Sequence, residues 1–253
     1  IAINGTVVNG HDYIQKAIDL GALIIVCEVL PSALNSEVTY IQVADSNEAL
    51  AQMASNFYDN PSSKLKLTGV TGTNGKTTVA TLLFNLFTQA GFKVGLLSTV
   101  KVMIGTEEFP ATHTTPDSIS INKYLAEMVE AGCDYCFMEV SSHGIAQKRT
   151  DALKFQGGVF TNLSHDHLDY HKTFAEYRDV KKSFFDNLSR KAFAITNADD
   201  KNGAVMLQNC EAKKLSYGLK NVADIHGNVL ESQISGMLMR IQDKEIWVQL
   251  IGS

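Results

Sequence analysis

Apolar and polar positions along the chain fall into blocks that switch between two periods. Leu23 to Val29 is a continuous apolar run and Thr39 to Val43 is a second strand-like segment. Before them, Asp12 to Leu20 places apolar residues at helical spacing until Gly21 stops the pattern. After them, Ser46 offers an N-cap for a helix through Phe57. Asp59-Asn60-Pro61-Ser62-Ser63 is dense in helix and strand breakers. It predicts a boundary between a small α/β domain at 1–61 and a larger one at 62–253. From Lys64 onward the two patterns take turns. Strands are predicted at 65–70, 94–99, 134–140, 157–161 and 192–196, and helices at 76–90, 117–131, 174–188 and 200–208. Pro116 and Asp117 suit a helix start. Such alternation implies a mostly parallel sheet with helices on its faces. The stretch 214–253 lacks a helical period. Its short apolar runs, broken by Gly227, Asn228 and Gly236, predict antiparallel strands attached to that sheet.

Composition narrows the class. A chain of 253 residues can bury a sizeable core. A formal net charge of −5 argues against nucleic acid as the main partner, because phosphate backbones need a broad basic surface. No apolar run is long enough to span a bilayer and no signal-peptide pattern occurs, so a cytoplasmic protein without membrane insertion is expected. The four cysteines do not make a disulfide scaffold. Cys133-x-x-Cys136 has no second pair to complete a zinc site and runs into a predicted strand, so both are expected as core thiols. The chain opens at Ile1 inside a patterned segment and ends at Ile251-Gly252-Ser253 without a closing helix, as a piece of a longer protein would.

The chemistry gathers where predicted strands end, which is where ligands collect in open parallel sheets. Leu67 to Thr78 runs from an apolar strand through Gly72-Thr73-Asn74-Gly75 into Lys76-Thr77-Thr78, the start of a predicted helix. Glycines let backbone N–H groups close round an oxyanion, and the helix N-terminus adds its dipole. Lys76 can reach the outer phosphates and the Thr77 hydroxyl can ligate magnesium. The strict P-loop spacing is not met, because Val70 stands five before Gly75. This variant P-loop predicts a nucleoside triphosphate site. A turn made only for chain reversal would leave Lys-Thr-Thr unexplained. Glu139 closes an apolar strand and is followed by Val140-Ser141-Ser142-His143-Gly144. It can hold magnesium opposite the P-loop threonine, or be a solvated strand-end acid. Three histidines and two aspartates crowd the loop from His165 to His171, which suggests metal binding, or a polar loop with local hydrogen bonds. Lys181-Lys182 lies on the following helix, where adjacent lysines are normally solvated.

Gly72 to Thr78, Glu139 to Gly144 and Asn162 to His171, in this order, resemble the Mur ligase family, and the resemblance runs from Ala2 to at least Asp200. His113-Thr114-Thr115-Pro116-Asp117 and Ser141 through Arg149 look like the branch that adds the third residue of the peptidoglycan stem peptide. The fold implied is a small N-terminal α/β domain at 1–61 that binds the UDP part of the substrate and is incomplete at its start, plus a P-loop central domain with a mostly parallel sheet flanked by helices and a terminal antiparallel portion. The activity implied is an ATP-dependent amide ligase in cell-wall precursor synthesis. It would phosphorylate the terminal carboxylate of UDP-MurNAc-L-Ala-D-Glu and let a diamino acid, meso-diaminopimelate or L-lysine, attack the acyl phosphate. Carried over by position, Gly72, Thr73, Asn74, Gly75, Lys76, Thr77 and Thr78 would bind ATP. Thr77 and Glu139 would hold one Mg²⁺ and His167 a second. Lys181 matches the family's carbamylated lysine, whose carbamate is an anionic oxygen ligand where an ammonium would be repelled. Lys182 is expected as an ordinary surface lysine. Lys76, Glu139, His167 and Lys181 thus form the expected catalytic set. Thr114, Thr115, Ser141, Gln147 and Arg149 match positions that hold the UDP-muramoyl-dipeptide. Some relatives carry Asn in place of His113 and Arg in place of His165, and no role is carried to these or to His171. The family's third, C-terminal domain has no counterpart here, so the 253 residues are expected not to complete the reaction. A monomer is expected. Two rivals remain at this stage. A folylpolyglutamate synthase-type ligase shares this kind of P-loop but not the Thr114–Asp117 and Ser141–Arg149 segments. A P-loop nucleotide switch would need no histidine-rich metal loop.

Overall fold

The structure, a computed structural model, describes residues 1–5, 8–164 and 170–249. Near the N-terminus a 3-10 turn at Gly10–Tyr13 leads into α1 (Ile14–Asp19), so the predicted helix begins as a tighter coil. β1 (Ile24–Cys27) and β2 (Thr39–Gln42) pair in parallel as a two-stranded sheet. A small core of Ala2, Ile14, Ile25 and Cys27 sits behind them. α2 (Ser46–Phe57) follows. Its N-cap is Asp45 rather than Ser46, because the Asp45 carboxylate takes the N–H groups of both Asn47 and Glu48.

A 3-10 turn at Pro61–Ser63 then leads into an 11-stranded sheet. Its members are β3 (Lys66–Thr71), β4 (Val94–Leu97), β5 (Lys101–Ile104), β6 (Glu107–Pro110), β7 (Tyr135–Glu139), β8 (Gly157–Phe160), β9 (Phe193–Asn197), β10 (Lys213–Gly218), β11 (Ile225–Gln233), β12 (Gly236–Ile241) and β13 (Lys244–Val248). The helices are α3 (Lys76–Gln89), α4 (Ser118–Glu130), α5 (Ser142–Ala146), α6 (Phe174–Asp186) and α7 (Gly203–Met206). The strand order is β13-β12-β11-β10-β9-β8-β3-β7-β4-β5-β6. β3 lies between β8 and β7 and is parallel to both; the chain runs from β3 to β4 beyond β7 and later crosses back from β7 to β8, so the strand order reverses about β3. In open parallel sheets a reversal of this kind is where ligands gather, at the carboxyl ends of the strands. One core packs Leu67, Leu97, Ile121, Leu125, Met138 and Phe185 on one face, and another packs Val70, Ala80, Phe84, Leu96 and Phe137.

Several expectations are corrected. The strand predicted at 94–99 ends at Leu97, and 101–110 forms an antiparallel hairpin, β5–β6, on that edge. The helix predicted at 200–208 is only the short α7. In the C-terminal stretch β10 is parallel to β9 and to β11, and only β11, β12 and β13 run antiparallel. Cys133 and Cys136 are buried, and burial pushes both thiols up, as expected of core cysteines. Lys182 is not an ordinary surface lysine. It is buried, with Nζ bonded to both Asp186 carboxylate oxygens at 2.6 and 2.8 Å.

Candidate active site

β3 ends at Thr71 and the chain turns through Gly72 (φ +150°) and Gly75 (φ +82°) into α3. At Gly72 a Cβ would collide with Thr161 Oγ1 and lie 2.9 Å from the Asn162 carbonyl oxygen, so only glycine fits. The loop is strapped to the segment after β8. Thr73 N–H donates to the Asn162 carbonyl (2.8 Å) and Asn74 N–H to Asn162 Oδ1 (3.0 Å). Thr161 Oγ1 and Asn162 Nδ2 both donate to the Asn74 carbonyl, at 2.7 and 3.0 Å. The amides of Thr73 and Asn74, predicted to bind nucleotide, are thus engaged by Asn162. Among the described residues no side chain caps the N-terminus of α3.

Two lysines converge on the same backbone atom. Lys76 Nζ and Lys181 Nζ each donate to the Gly72 carbonyl at 3.0 Å, and Lys76 also donates to the Thr73 carbonyl at 2.8 Å. Lys181, read from sequence as one of two lysines on a solvated face, is 1% exposed and sits over the Tyr177 ring. Tyr177 is fully buried, with its hydroxyl 3.1 Å from Thr73 Oγ1.

Glu139 is fully buried at the end of β7 and is no solvated acid. Its Oε1 accepts the Thr99 N–H (2.7 Å) and its Oε2 the Thr99 hydroxyl (3.2 Å). The Thr99 hydroxyl is also 3.1 Å from Thr114 Oγ1. Thr115 Oγ1 donates to the Glu139 carbonyl (2.9 Å) and accepts the Ser141 N–H (2.9 Å). Ser141 caps α5 through the Gly144 N–H (3.1 Å). Arg149 donates through Nε and Nη2 to Gln147 Oε1 (3.0 and 2.6 Å) and through Nη1 to the Thr115 carbonyl (2.7 Å). Thr114, Thr115, Ser141, Gln147 and Arg149 are therefore joined into one wall beside Glu139.

Thr77 lies half-buried in the first turn of α3, and no hydrogen bond among the described residues joins it to Glu139. His165 and His167 lie outside the described residues. His113 is exposed. His171 is buried, with its ring between those of Tyr170 and Tyr177 at 4.9 and 5.3 Å. Among the described residues no three His, Cys, Asp or Glu side chains gather into a metal cage. The Thr77 hydroxyl and Glu139 carboxylate are hard oxygen donors that suit Mg²⁺, whereas Lys181 as an ammonium does not.

Thr99, Asn162 and Tyr177 were missed as site residues. Thr99 had a readable signal, since it closes the strand predicted at 94–99 as Glu139 closes its own. Asn162 opens the Asn162–His171 segment but carries no cue to its partner, and nothing in the sequence around Tyr177 marks it.

The Mur ligase middle domain matches residues 70–253, and the Mur ligase family catalytic domain matches residues 1–58. Over 252 residues the chain is 55% identical to the UDP-N-acetylmuramoyl-L-alanyl-D-glutamate--2,6-diaminopimelate ligase of Phocaeicola vulgatus, covering 100% of this chain and 52% of that protein. The enzyme of the same name from Bacteroides fragilis gives the same identity and coverage. The chain thus spans about half the length of the curated relatives it matches. A solved structure of a ligase of that name superposes with a TM-score of 0.79 at 25% identity, over 94% of this chain and 50% of that one. Mycobacterium tuberculosis folylpolyglutamate synthase complexed with ADP superposes with a TM-score of 0.60 at 17% identity, over 78% of this chain and 51% of that one. That likeness is one of fold alone.

Proposed function

The chain belongs to the Mur ligase family, and from that premise we propose that it carries the nucleotide site and part of the substrate site of an ATP-dependent amide ligase. The complete protein would join 2,6-diaminopimelate to the D-glutamate carboxylate of UDP-MurNAc-L-Ala-D-Glu, forming ADP and phosphate, in peptidoglycan precursor synthesis. The relatives' names favour diaminopimelate over lysine. The observation that carries the reading is the meeting, at the carboxyl ends of the neighbouring strands β3 and β7, of the strapped loop before α3, the buried Glu139 and the Thr115–Ser141–Arg149 wall.

In the first step the substrate carboxylate oxygen bonds to the γ-phosphorus while the bond from that phosphorus to the β–γ bridging oxygen breaks and ADP leaves. In the second the amine nitrogen bonds to the carbonyl carbon, the acyl C–O bond breaks, phosphate departs and the nitrogen loses its proton. Two anions must approach, so charge has to be offset at the reacting oxygens. The α3 N-terminus and Lys76 serve the phosphates, and Arg149 offers a guanidinium to the substrate's carboxylate or pyrophosphate. Magnesium, when bound, supplies positive charge to the phosphate oxygens. Thr77, Glu139, His167 and Lys181 are the proposed ligands. Carbamylation of Lys181 forms an N–C bond between its neutral amine and CO₂ and releases a proton. It would replace one of two cations crowding the Gly72 carbonyl by an anion.

Phosphate release by the full-length protein tests this, with and without UDP-MurNAc-L-Ala-D-Glu and with diaminopimelate or lysine in turn. Release that needs both the nucleotide-peptide and diaminopimelate is expected. Release indifferent to both, or driven by a folate, overturns the reading. Lys181→Ala is expected to abolish ligation, with partial recovery in a short added carboxylic acid. Full activity of that variant removes the carbamate.

A further inference from the structure

Lys148 is a residue that no motif singled out. It lies between Gln147 and Arg149 and is in the left-handed region, with φ +53°. That conformation is uncommon for a side chain with a Cβ and persists where surroundings hold it. Its ammonium leaves the wall of the site and crosses to the first domain. There Nζ donates to Glu48 Oε2 at 2.7 Å and pairs with Asp45 Oδ2 at 3.0 Å. Asp45 does two jobs at once, since its Oδ1 caps α2 through Asn47 and Glu48 while its Oδ2 meets Lys148. The two neighbours in sequence act on the other side of the turn, where Arg149 is clamped by Gln147 Oε1 and the Thr115 carbonyl.

We propose that Lys148 is a positioning residue that fastens the α2 N-terminus of the first domain to the Gln147–Arg149 turn, setting the registry of two domains that one substrate must span. This rests on the ligase reading, in which Gln147 and Arg149 hold the muramoyl-dipeptide and the first domain holds the UDP end. A single exposed ion pair does little. Here one ammonium bridges two carboxylates, is only 33% exposed, and starts from a backbone already turned toward them. Hydrogen bonds to Glu48 and Asp45 hold the Lys148 ammonium above the ordinary lysine value. Burial would lift the Asp45 carboxyl, but the Glu48 N–H and Lys148 outweigh it and hold it below its usual range. Both groups therefore stay charged through neutral pH.

The test uses the full-length protein with Lys148→Gly, which tolerates the left-handed backbone and deletes the ammonium, and Lys148→Arg, which keeps the cation. The KM for UDP-MurNAc-L-Ala-D-Glu is expected to rise about fivefold or more in K148G, with kcat and the KM for ATP within about twofold, and K148R to recover most of the loss. Amide exchange at 45–49 and 142–149 is expected to speed up together in K148G without added substrate. Unchanged exchange in both segments overturns the fastening. An equal rise in both KM values, or no recovery in K148R, overturns the positioning role. A wild-type protein that ignores the nucleotide-peptide defeats the ligase reading and with it the substrate half of this proposal, while the exchange data still judge the fastening.

Discussion

Gly72 is the tightest single point of the site, because the backbone after β3 must pass under the Thr161–Asn162 strap with no room for a Cβ. Gly72→Ala has to displace that strap, and with it the bond from Thr73 N–H to the Asn162 carbonyl. Calorimetric titration of the full-length protein with ATP and magnesium is expected to give an affinity at least about tenfold weaker, a loss of about 1.4 kcal/mol. Unchanged affinity would mean that the loop does not need this path. A milder change probes the other side of the loop. The Tyr177 hydroxyl reaches Thr73 Oγ1, which also accepts the Ser164 N–H at 3.0 Å. Tyr177→Phe removes one buried hydrogen bond and is expected to cost about 1 kcal/mol in urea unfolding. Gly72 and Lys76 were legible because their meaning is local, a turn followed by a helix start. The partners were not. Thr99 meets Glu139 across 40 positions and Tyr177 meets Thr73 across 104, and nothing in a one-dimensional pattern reports which strand ends become neighbours.

Helices with a strong cap and a clean apolar stripe were the most readable elements, and α4 shows why. Asp117 Oδ1 takes the N–H groups of Ile119 and Ser120, and its Oδ2 takes the Ser120 hydroxyl at 2.7 Å. Asp117→Ala should therefore cost about 1 kcal/mol. The same cap predicts a pH dependence. Burial pulls the Asp117 carboxyl upward, but the Ser120 N–H, the Ser120 hydroxyl and the Ile119 N–H outweigh it and hold it low. For a carboxyl whose folded value is depressed, the stabilisation is complete above the unfolded value of about 3.9 and disappears as pH falls through the lowered folded value. The gap between wild type and D117A in urea midpoint is expected to be full at neutral pH and to narrow below about pH 4. A constant gap would show that the ionised carboxylate is not what caps the helix. Elements without such punctuation were misread. Residues 200–208 carry apolar residues but collapse to a single turn at α7, where the Asp200 carboxylate is drawn off to the N–H groups of Leu163 and Asn202. The hairpin 101–110 was passed over because its strands are only four residues long, although Gly105 at φ +60° marks its turn.

Alternation of strand and helix was enough to call for a parallel sheet, but strand order depends on which way each crossover turns, and so the central place of β3 emerged only in three dimensions. The same topology divides the molecule energetically. The segment before Pro61 rests on a two-stranded sheet and a buried apolar cluster of Ala2, Ile14, Ile25 and Cys27, whereas β3, β7 and β8 are sandwiched between helices in the middle of a wide sheet. A two-stranded sheet is marginal without packing support. Local opening should therefore start in β1 and β2, whose amides are expected to exchange faster than those of β3, β7 and β8 in the full-length protein. Nucleotide discriminates further. A ligand that binds only the folded loop before α3 stabilises the sheet that carries it by about 2.7 kcal/mol at a hundredfold excess over its Kd. ATP with magnesium should slow exchange at 66–71 and 135–139 and leave 24–27 and 39–42 nearly unchanged. The peptide substrate, if it reaches across the Lys148 contact, should slow all four segments together. Equal protection of every segment by ATP alone would mean that the segments before and after Pro61 already open as one unit, and that the ion pairs at Asp45 and Glu48 couple them more tightly than their partial exposure suggests.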